Sequence, residues 1–482
     1  MIHAVVAAIH TSISLLDTVV LVYFLLVNSA YLGLVGLAAV EVVKHRRWQP
    51  VAGADDAHRS PLTDPVSILM PAYNEGGGIV SAVQAVGALR YPTYEVVVVD
   101  DGSTDDTFDR LRTAFDLVEV PRVVPSDVPY RGRVRSVHRP RSGATGLVVV
   151  RKDNGGKADA LNVGINIAAY PLVCMVDADS ILDPDALLSV AKPFADDPLR
   201  VIASGGVVRV ANGCRVLAGR VVEVRMPRPW LARIQVVEYL RAFLLGRTGW
   251  SRLSGVLIIS GAFGLFRRDV LVEVGGLAED CIGEDAELVV RLHRYARGLR
   301  RPYRVVFVAE PVSWSEAPVT AAVLARQRRR WHRGITEILL RHRGMLGNRR
   351  YGRIGLLVLP YYLVVELLAP VVELSALVLV PVGLAVGAVN LRFAGLFLLV
   401  AYAYACFVSL VAVAVEEVSF HRYNRWRDLA TVLLAAILEN VLYRQLTALW
   451  RVQGSWAALR GHARVWGAMT RQGFQTIDDS AR

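Results

Sequence analysis

Four short apolar runs, each stopping at a polar cluster, limit what this chain can fold into more than any other feature. The runs are Val66–Leu69, Tyr94–Val99, Leu147–Val150 and Leu172–Val176. They stop at Pro71-Ala72-Tyr73-Asn74-Glu75, Asp100-Asp101-Gly102-Ser103, Asp153-Asn154-Gly155-Gly156-Lys157 and Asp177-Ala178-Asp179. Continuous β-branched runs separated by helical patterns predict parallel strands covered on both faces. In such sheets ligands bind beyond the carboxyl ends of the strands. The polar clusters are therefore expected to converge on one crevice. The plainer reading is that each is an ordinary turn, because turns favour Gly, Asn and Asp.

Composition adds a second part to the molecule. Of 482 residues, 54% are hydrophobic and 20% charged. That is too apolar for an ordinary soluble enzyme and too charged for a chain made only of membrane spans. Disorder is excluded as the main state, since there is ample apolar surface to bury. The formal charge of +12 comes almost wholly from Arg, with only Lys44, Lys152, Lys157 and Lys192 as lysines. A basic chain suits nucleic acid, an anionic membrane leaflet or a phosphorylated substrate. Cys174, Cys214, Cys281 and Cys406 are scattered without a CxxC, which argues against a zinc site or a disulfide framework.

The apolar stretches divide the chain. Residues 1–47 read as a transmembrane anchor, whose run from Leu15 to Val43 ends in Lys44-His45-Arg46-Arg47. Positive charge on that flank places it in the cytoplasm. Residues 64–320 read as a soluble α/β domain, with Pro121–Gly146 as a long inserted loop. Residues 321–353 hold ten Arg and one acid, Glu337, with Trp331, Ile335, Ile338 and Leu339 at helical spacing. That pattern predicts a basic amphipathic helix on the membrane surface; because it runs straight into an apolar span, nucleic acid is not the expected partner. Residues 354–450 read as transmembrane helices: Ile354–Val389, interrupted or doubled around its prolines, then Leu396–Val415 and Leu429–Leu449. Basic flanks at Phe420–Arg427 and Leu459–Arg471 both favour the cytoplasm, so either the first stretch crosses twice or a later one only enters the interface. Glu366, Glu373, Glu439, Arg444 and Gln445 lie in these stretches. Intramembrane polar groups either pair with one another or line a watery route.

Several clusters carry chemistry. Asp177-Ala178-Asp179 after a strand offers hard oxygen ligands for Mg2+ or Mn2+, which is commonly held by one or two carboxylates plus substrate phosphates. Asp101 is placed to accept from a base or ribose, or else its cluster is simply the start of a well-capped helix, with Ser103 or Thr104 as the cap. Asn154-Gly155-Gly156-Lys157 opens a helix, where backbone N–H groups and a lysine suit an anion. In Gly283-Glu284-Asp285, also ahead of a helix, a carboxylate is a candidate general base. Gln327-Arg328-Arg329-Arg330-Trp331 offers a cation for a diphosphate and an indole face for a sugar, or only one side of the basic helix.

The ordered set PAYNE, DDGSTDD, NGGKADALN, DADS, SGAFGLF, GED and QRRRW resembles the family-2 glycosyltransferases of GT-A fold. It is most similar to their membrane-embedded processive branch, the cellulose, hyaluronan and poly-N-acetylglucosamine synthases, over residues 64–335. The resemblance implies a Rossmann-like, mostly parallel sheet with helices on both faces, joined to transmembrane helices. It implies that Ala72, Tyr73, Glu75 and Asp101 hold a uridine, that Lys157, Asp177 and Arg330 complete the nucleotide-sugar site, and that Asp179 ligates the metal. Asp285 becomes the general base, and Glu284, Gln327 and Trp331 face the acceptor. Gly283 departs from the threonine often found before Glu-Asp, which bears on acceptor positioning. Residues 451–482 become a cytoplasmic tail, too short for an appended cyclic-dinucleotide-binding domain.

The activity implied is inverting transfer from a UDP-sugar, with UDP-N-acetylglucosamine or UDP-glucose favoured, to a β-linked polysaccharide at the cytoplasmic face of the plasma membrane. Accessory subunits and secretion through the protein's own helices go with that reading. Two rivals stand beside it: a non-processive transferase acting on a lipid acceptor, and an inactive membrane scaffold of a polysaccharide complex.

Overall fold

The computed structural model describes residues 19–41, 63–142, 146–217, 219–387, 389–420 and 425–461. The basic flank Lys44–Arg47 and most of the 451–482 tail lie outside these residues. The centre is a ten-stranded sheet in the order β3-β4-β5-β2-β1-β6-β11-β8-β12-β7. Its strands are β1 (Val66–Ala72), β2 (Tyr94–Asp101), β3 (Leu117–Glu119), β4 (Val134–Pro140), β5 (Leu147–Lys152) and β6 (Leu172–Val176). They are followed by β7 (Ile181–Leu182), β8 (Val201–Val210), β11 (Phe263–Arg267) and β12 (Arg304–Ser315); β9 (Arg215–Leu217) and β10 (Arg220–Glu223) form a separate hairpin.

The four runs singled out in the sequence form the parallel centre β5-β2-β1-β6. Alternate residues feed two cores. Leu69, Val97, Val99, Val148, Val150, Val173 and Met175 pack with the Lys157–Ile167 helix on one face. Ile68, Met70, Val96, Val98, Val149, Cys174 and Val176 pack with the Ile79–Gly87 and Ala186–Asp196 helices on the other. This two-sided burial is the reason the runs are almost wholly apolar; the buried exceptions, Ser67 and Glu95, satisfy each other, Ser67 Oγ donating to Glu95 Oε1 at 2.6 Å.

The margins are antiparallel. β4 pairs with β3 and β5, and β11 lies between β6 and β8, antiparallel to both. The inserted stretch Pro121–Gly146 is thus only partly loop, because β4 runs through it. β12 returns parallel to β8 and brings the chain to the long helix Ala321–Arg341.

Among the described residues, four helices are long and apolar enough to cross a membrane: Val19–Glu41, Ile354–Ala385, Ala394–Val418 and Trp426–Leu459. Two of them are broken. Ile354–Ala385 changes course at Leu368, just before Pro370, where proline removes a helical hydrogen bond. Trp426–Leu459 breaks at Val441 and Leu442, whose φ values of −105° and 63° leave the helical region. Its second half, Arg444–Leu459, packs along Ala321–Arg341: Arg329 Nε donates to Gln453 Oε1 at 2.7 Å and Thr336 Oγ1 to Ser455 Oγ at 3.1 Å. The count of crossings left open by the charge pattern therefore turns on this break. In the basic stretch 321–353 the helix has two faces: Leu324, Gln327, Arg328, His332, Thr336 and Ile338 are buried, while Arg326, Arg329, Trp331, Leu340 and Arg341 are exposed.

The carboxylates in these stretches each meet a cation. Glu366 faces Arg451 at 3.6 Å and accepts from Tyr31 Oη at 3.1 Å. Glu373 pairs with Arg444 at 3.2 Å, and Glu439 with Arg241 at 2.6 Å. Pairing, one of the two uses expected of such groups, accounts for all three.

Candidate functional site

The loops that leave β1, β2, β5 and β6 meet at one end of the sheet. The β1 and β2 loops are stitched together. Asn74, at φ 55°, accepts on Oδ1 from the Thr104 N–H at 2.8 Å, and its own N–H donates to Ser103 Oγ at 3.0 Å. Glu75 N–H donates to Thr107 Oγ1 at 2.9 Å, and Gly76 N–H to Asp105 Oδ2 at 3.0 Å. Ala72 is buried at the strand end, and Tyr73 stands half exposed beside it.

Gly102 makes the next junction. Its φ is 72°, and a Cβ there would stand 2.7 Å from the Asn154 nitrogen. Only glycine suits both the left-handed backbone and the close approach. Asp101, just before it, points inward. Its carboxylate is bonded to the Lys152 ammonium and accepts from Gly155 N–H at 3.0 Å, Gly156 N–H at 2.7 Å and Asn154 Nδ2 at 3.2 Å. Those four donors take up about the whole accepting capacity of a carboxylate. Asp101 thereby ties the end of β2 to the turn after β5.

Lys157, the first residue of the Lys157–Ile167 helix, stands at the centre of the remaining charges. It forms an ion pair with Asp177 at the end of β6, lies 4.0 Å from Glu284 Oε1 and donates to the Gly261 carbonyl at 3.4 Å. Burial works against its charge, but Asp177, then Glu284 and Asp285, hold its pKa well above the usual lysine value. Glu284 and Asp285 open the Glu284–Gly298 helix, where acids are favoured by the helix dipole. Asp285 Oδ2 accepts from the Gly261 N–H at 2.8 Å. Glu284 is buried, and that burial pushes its pKa up to about 7 against the pull of Lys157.

The Asp177 side chain, about a third exposed, lies in this cluster, and Asp179, partly buried, follows two residues on. Among the described residues no group of three or more His, Cys, Asp and Glu is arranged to hold a metal ion by itself. A divalent cation here would take its remaining ligands from substrate phosphates and water, which is how Mg2+ is usually held. The donor set fits such an ion.

Residues 122–334 match the family described as Glycosyltransferase like family 2, and residues 67–146 match Glycosyl transferase family 2. This is a family-2 glycosyltransferase domain. The chain is 30% identical over 278 residues to the poly-beta-1,6-N-acetyl-D-glucosamine synthase of Staphylococcus aureus (strain MSSA476), covering 57% of this chain and 56% of that protein. It is 28% identical over 276 residues to the synthase of the same description from Staphylococcus epidermidis, with the same coverage. The chain spans about half the length of the curated relatives it matches. Among solved structures, mannosyltransferase PcManGT from Pyrobaculum calidifontis, in complex with GDP-Man and Mn2+, superimposes with a TM-score of 0.51 at 17% identity. The match covers 92% of this chain and 100% of that one, and is a likeness of GT-A fold.

Around the glycosyltransferase crevice, the helix Ala321–Arg341 forms a second wall. Gly334 rests against Gly283, and Glu337 accepts from the Ile282 N–H at 3.2 Å. Gln327 is buried, Arg330 is half-buried, and Trp331 lies half exposed with the Arg328 guanidinium 4.7 Å from its ring centre. The structure thus brings Lys157, Asp177, Glu284 and Asp285 into one cluster. Arg328 bonds instead toward the segment Trp230–Tyr239, through Glu238 at 2.7 Å.

Sequence reasoning missed three members of the site. Gly261 supplies the N–H that orients Asp285; it sits in the SGAFGLF motif, whose role was unassigned. Lys152 and Asp159 are wholly buried beneath the loops. The scarcity of lysine in this chain was a signal for Lys152 as much as for Lys157.

Proposed function

We propose that this chain is a metal-dependent inverting glycosyltransferase of a plasma membrane, extending a β-linked glycan from a UDP-sugar at the cytoplasmic face. The observation that carries the reading is the contact of Asp285 with Gly261 and of Lys157 with both Gly261 and Asp177. It sets a carboxylate base beside a cation suited to a leaving diphosphate. UDP-N-acetylglucosamine and UDP-glucose are the favoured donors. The Staphylococcus synthases, by their description, favour the first.

In this reading Ala72, Tyr73 and Glu75 receive the nucleoside, on loops that Asp101 helps to hold. Asp285 takes the proton from the acceptor hydroxyl, whose oxygen attacks the anomeric carbon. The bond from that carbon to the diphosphate oxygen breaks on the opposite face. No covalent intermediate is needed, so one base suffices. Lys157 and Arg330 offset charge on the departing diphosphate. A bound Mg2+ or Mn2+, held by Asp179 with Asp177 nearby, would neutralise the same charge as a Lewis acid. Glu284, Gln327 and Trp331 face the acceptor.

The arrangement of the chain follows: an anchor in residues 1–47, the glycosyltransferase domain in 64–320, a connecting helix carrying Gln327, Arg330 and Trp331 within 321–353, membrane helices in 354–450 and a tail in 451–482. Accessory secretion subunits are further partners. The test is incubation of the purified protein in detergent with a panel of UDP-sugars and Mn2+ or Mg2+, followed by sizing of the product. A polymer of one sugar supports the proposal. A single sugar on a lipid replaces it with the lipid-acceptor reading, and no transfer with any donor supports an inactive scaffold.

A further inference from the structure

Lys152 is a large side chain with essentially no solvent exposure. It ends β5 and reaches under the candidate site. Its ammonium binds the Asp101 carboxylate, Asp159 Oδ2 at 2.6 Å and the Asp153 carbonyl at 2.6 Å. An ammonium has three N–H donors, and here each has an oxygen. The two carboxylates carry the linkage outward. Asp101 accepts from the backbone N–H groups of Gly155 and Gly156 and from Asn154 Nδ2. Asp159 accepts from the N–H groups of Arg131 at 2.6 Å and Gly132 at 3.0 Å. Gly132 lies so close that a Cβ there would stand 2.4 Å from Lys152 Nζ.

One ammonium therefore joins three segments distant in sequence: the turn after β2, the stretch around Arg131 and Gly132, and the turn Asp153–Gly156. A buried ion triad is a poor device for stability alone, because apolar side chains of the same volume commonly do as well or better. What the triad supplies is direction. With Gly155 and Gly156 bound down onto Asp101, the chain enters the Lys157–Ile167 helix at a set angle, Gly156 taking φ 91°. The side chain delivered to the crevice by that entry is Lys157, in ion pair with Asp177.

We propose that Lys152 is a positioning residue of the donor site: through Asp101 and Asp159 it sets the loops after β2 and β5, and with them Lys157, before a nucleotide diphosphate binds. The inference rests on the reading that this crevice takes a sugar nucleotide. It acts through other groups and touches no reacting atom.

The test uses the full chain in detergent and two variants, Lys152→Met and the charge-compensated Lys152→Met/Asp159→Asn. UDP is the probe, its binding measured by titration calorimetry. KM and kcat follow with the donor that the parent turns over, and folding is monitored by the thermal unfolding midpoint. The expected result is a folded compensated variant with UDP affinity and donor KM each at least tenfold weaker and kcat within threefold of the parent. Amide hydrogen exchange should quicken at residues 131–132 and 155–156. A folded compensated variant that binds UDP within twofold of the parent overturns the proposal, leaving the lysine only a partner for buried charge. If neither methionine variant folds, Asp101→Asn decides: tenfold weaker UDP binding in a folded chain supports the proposal, and parental binding overturns it. A parent chain that binds no UDP fails the functional reading itself, and this inference with it.

Discussion

Gly283 and Gly334 lie back to back: a methyl group on Gly334 would stand 3.3 Å from the Cα and the nitrogen of Gly283, and one on Gly283 would stand 3.4 Å from the Cα of Gly334. The contact joins the residue before Glu284-Asp285 to the middle of the helix that carries Gln327, Arg330 and Trp331. It also gives a physical account of why glycine, not threonine, precedes Glu284: a side chain there meets Gly334 and the tip of Ile338 at 3.3 Å.

Gly334→Ala is expected to lower kcat about five- to tenfold with little net loss of stability. Alanine gains about 1 kcal/mol of helix preference, against an overpacking cost of roughly 1–3 kcal/mol. The backbone it presses on cannot rotate away, so the strain reaches Asp285, where small displacements are costly in rate. Gly298→Ala, at the far end of the Glu284–Gly298 helix with open space around it, is the control and should leave kcat unchanged. Initial rates and thermal unfolding of both variants check this.

How far the sequence reveals this molecule depends on what each residue hides. β1, β2, β5 and β6 are legible because a strand covered on both faces is mostly apolar, with Ser67 and Glu95 as a hydrogen-bonded exception. β8 is not, although all ten of its residues are buried. Gly205 and Gly206 interrupt it, and glycine counts against a strand. Here a Cβ at either would come within 2.6 Å of Ile259 or Val312, so close packing explains both. In the site, Lys157, Asp177, Glu284 and Asp285 are legible because each sits at the start of a helix or the end of a strand. For Asp101, the last residue of β2, only the fold reveals that Lys152 lies beneath it. Asp159 reads as an ordinary first-turn acid, and nothing in the sequence marks its burial.

The buried Glu284 carboxyl should leave a mark on stability. Its pKa in the folded chain is pushed up to about 7, chiefly by burial, from about 4.3 when unfolded. Between those values the folded state binds more protons than the unfolded one, so stability falls as pH rises through that window. Glu284→Gln removes the titration. Unfolding free energies from pH 4.5 to 7.5 should fall less steeply in the variant, by up to about 3–4 kcal/mol across the window. Parallel profiles for parent and variant would contradict the assignment.

The ion pair between Arg241 and Glu439 links the segment beside the crevice to a candidate membrane helix, with Ser409 Oγ also donating to Glu439. Arg241→Met leaves that buried carboxylate without its cation and should cost about 3–5 kcal/mol. Arg241→Met/Glu439→Gln should recover at least half of the loss. Thermal unfolding in detergent distinguishes a coupled pair from two independent costs.

A divalent cation held with substrate phosphates should be easily removed. Chelation with EDTA is expected to abolish transfer, and Mn2+ or Mg2+ to restore it. Asp179→Asn should raise the cation concentration for half-maximal rate at least tenfold, since it removes one of the few protein ligands such an ion has. Titration of the rate against cation concentration measures this, and full activity in EDTA would contradict it.

The most direct measurement is of Asp285→Asn, which keeps the shape of the side chain that accepts from Gly261 and removes its basicity. Turnover of the UDP-sugar should fall by roughly a hundred- to ten-thousandfold, the usual contribution of a general base. UDP affinity, measured by titration calorimetry on the same sample, should stay within threefold of the parent. A variant that turns over at the parental rate, or that loses nucleotide binding in step with turnover, would contradict Asp285 as the base.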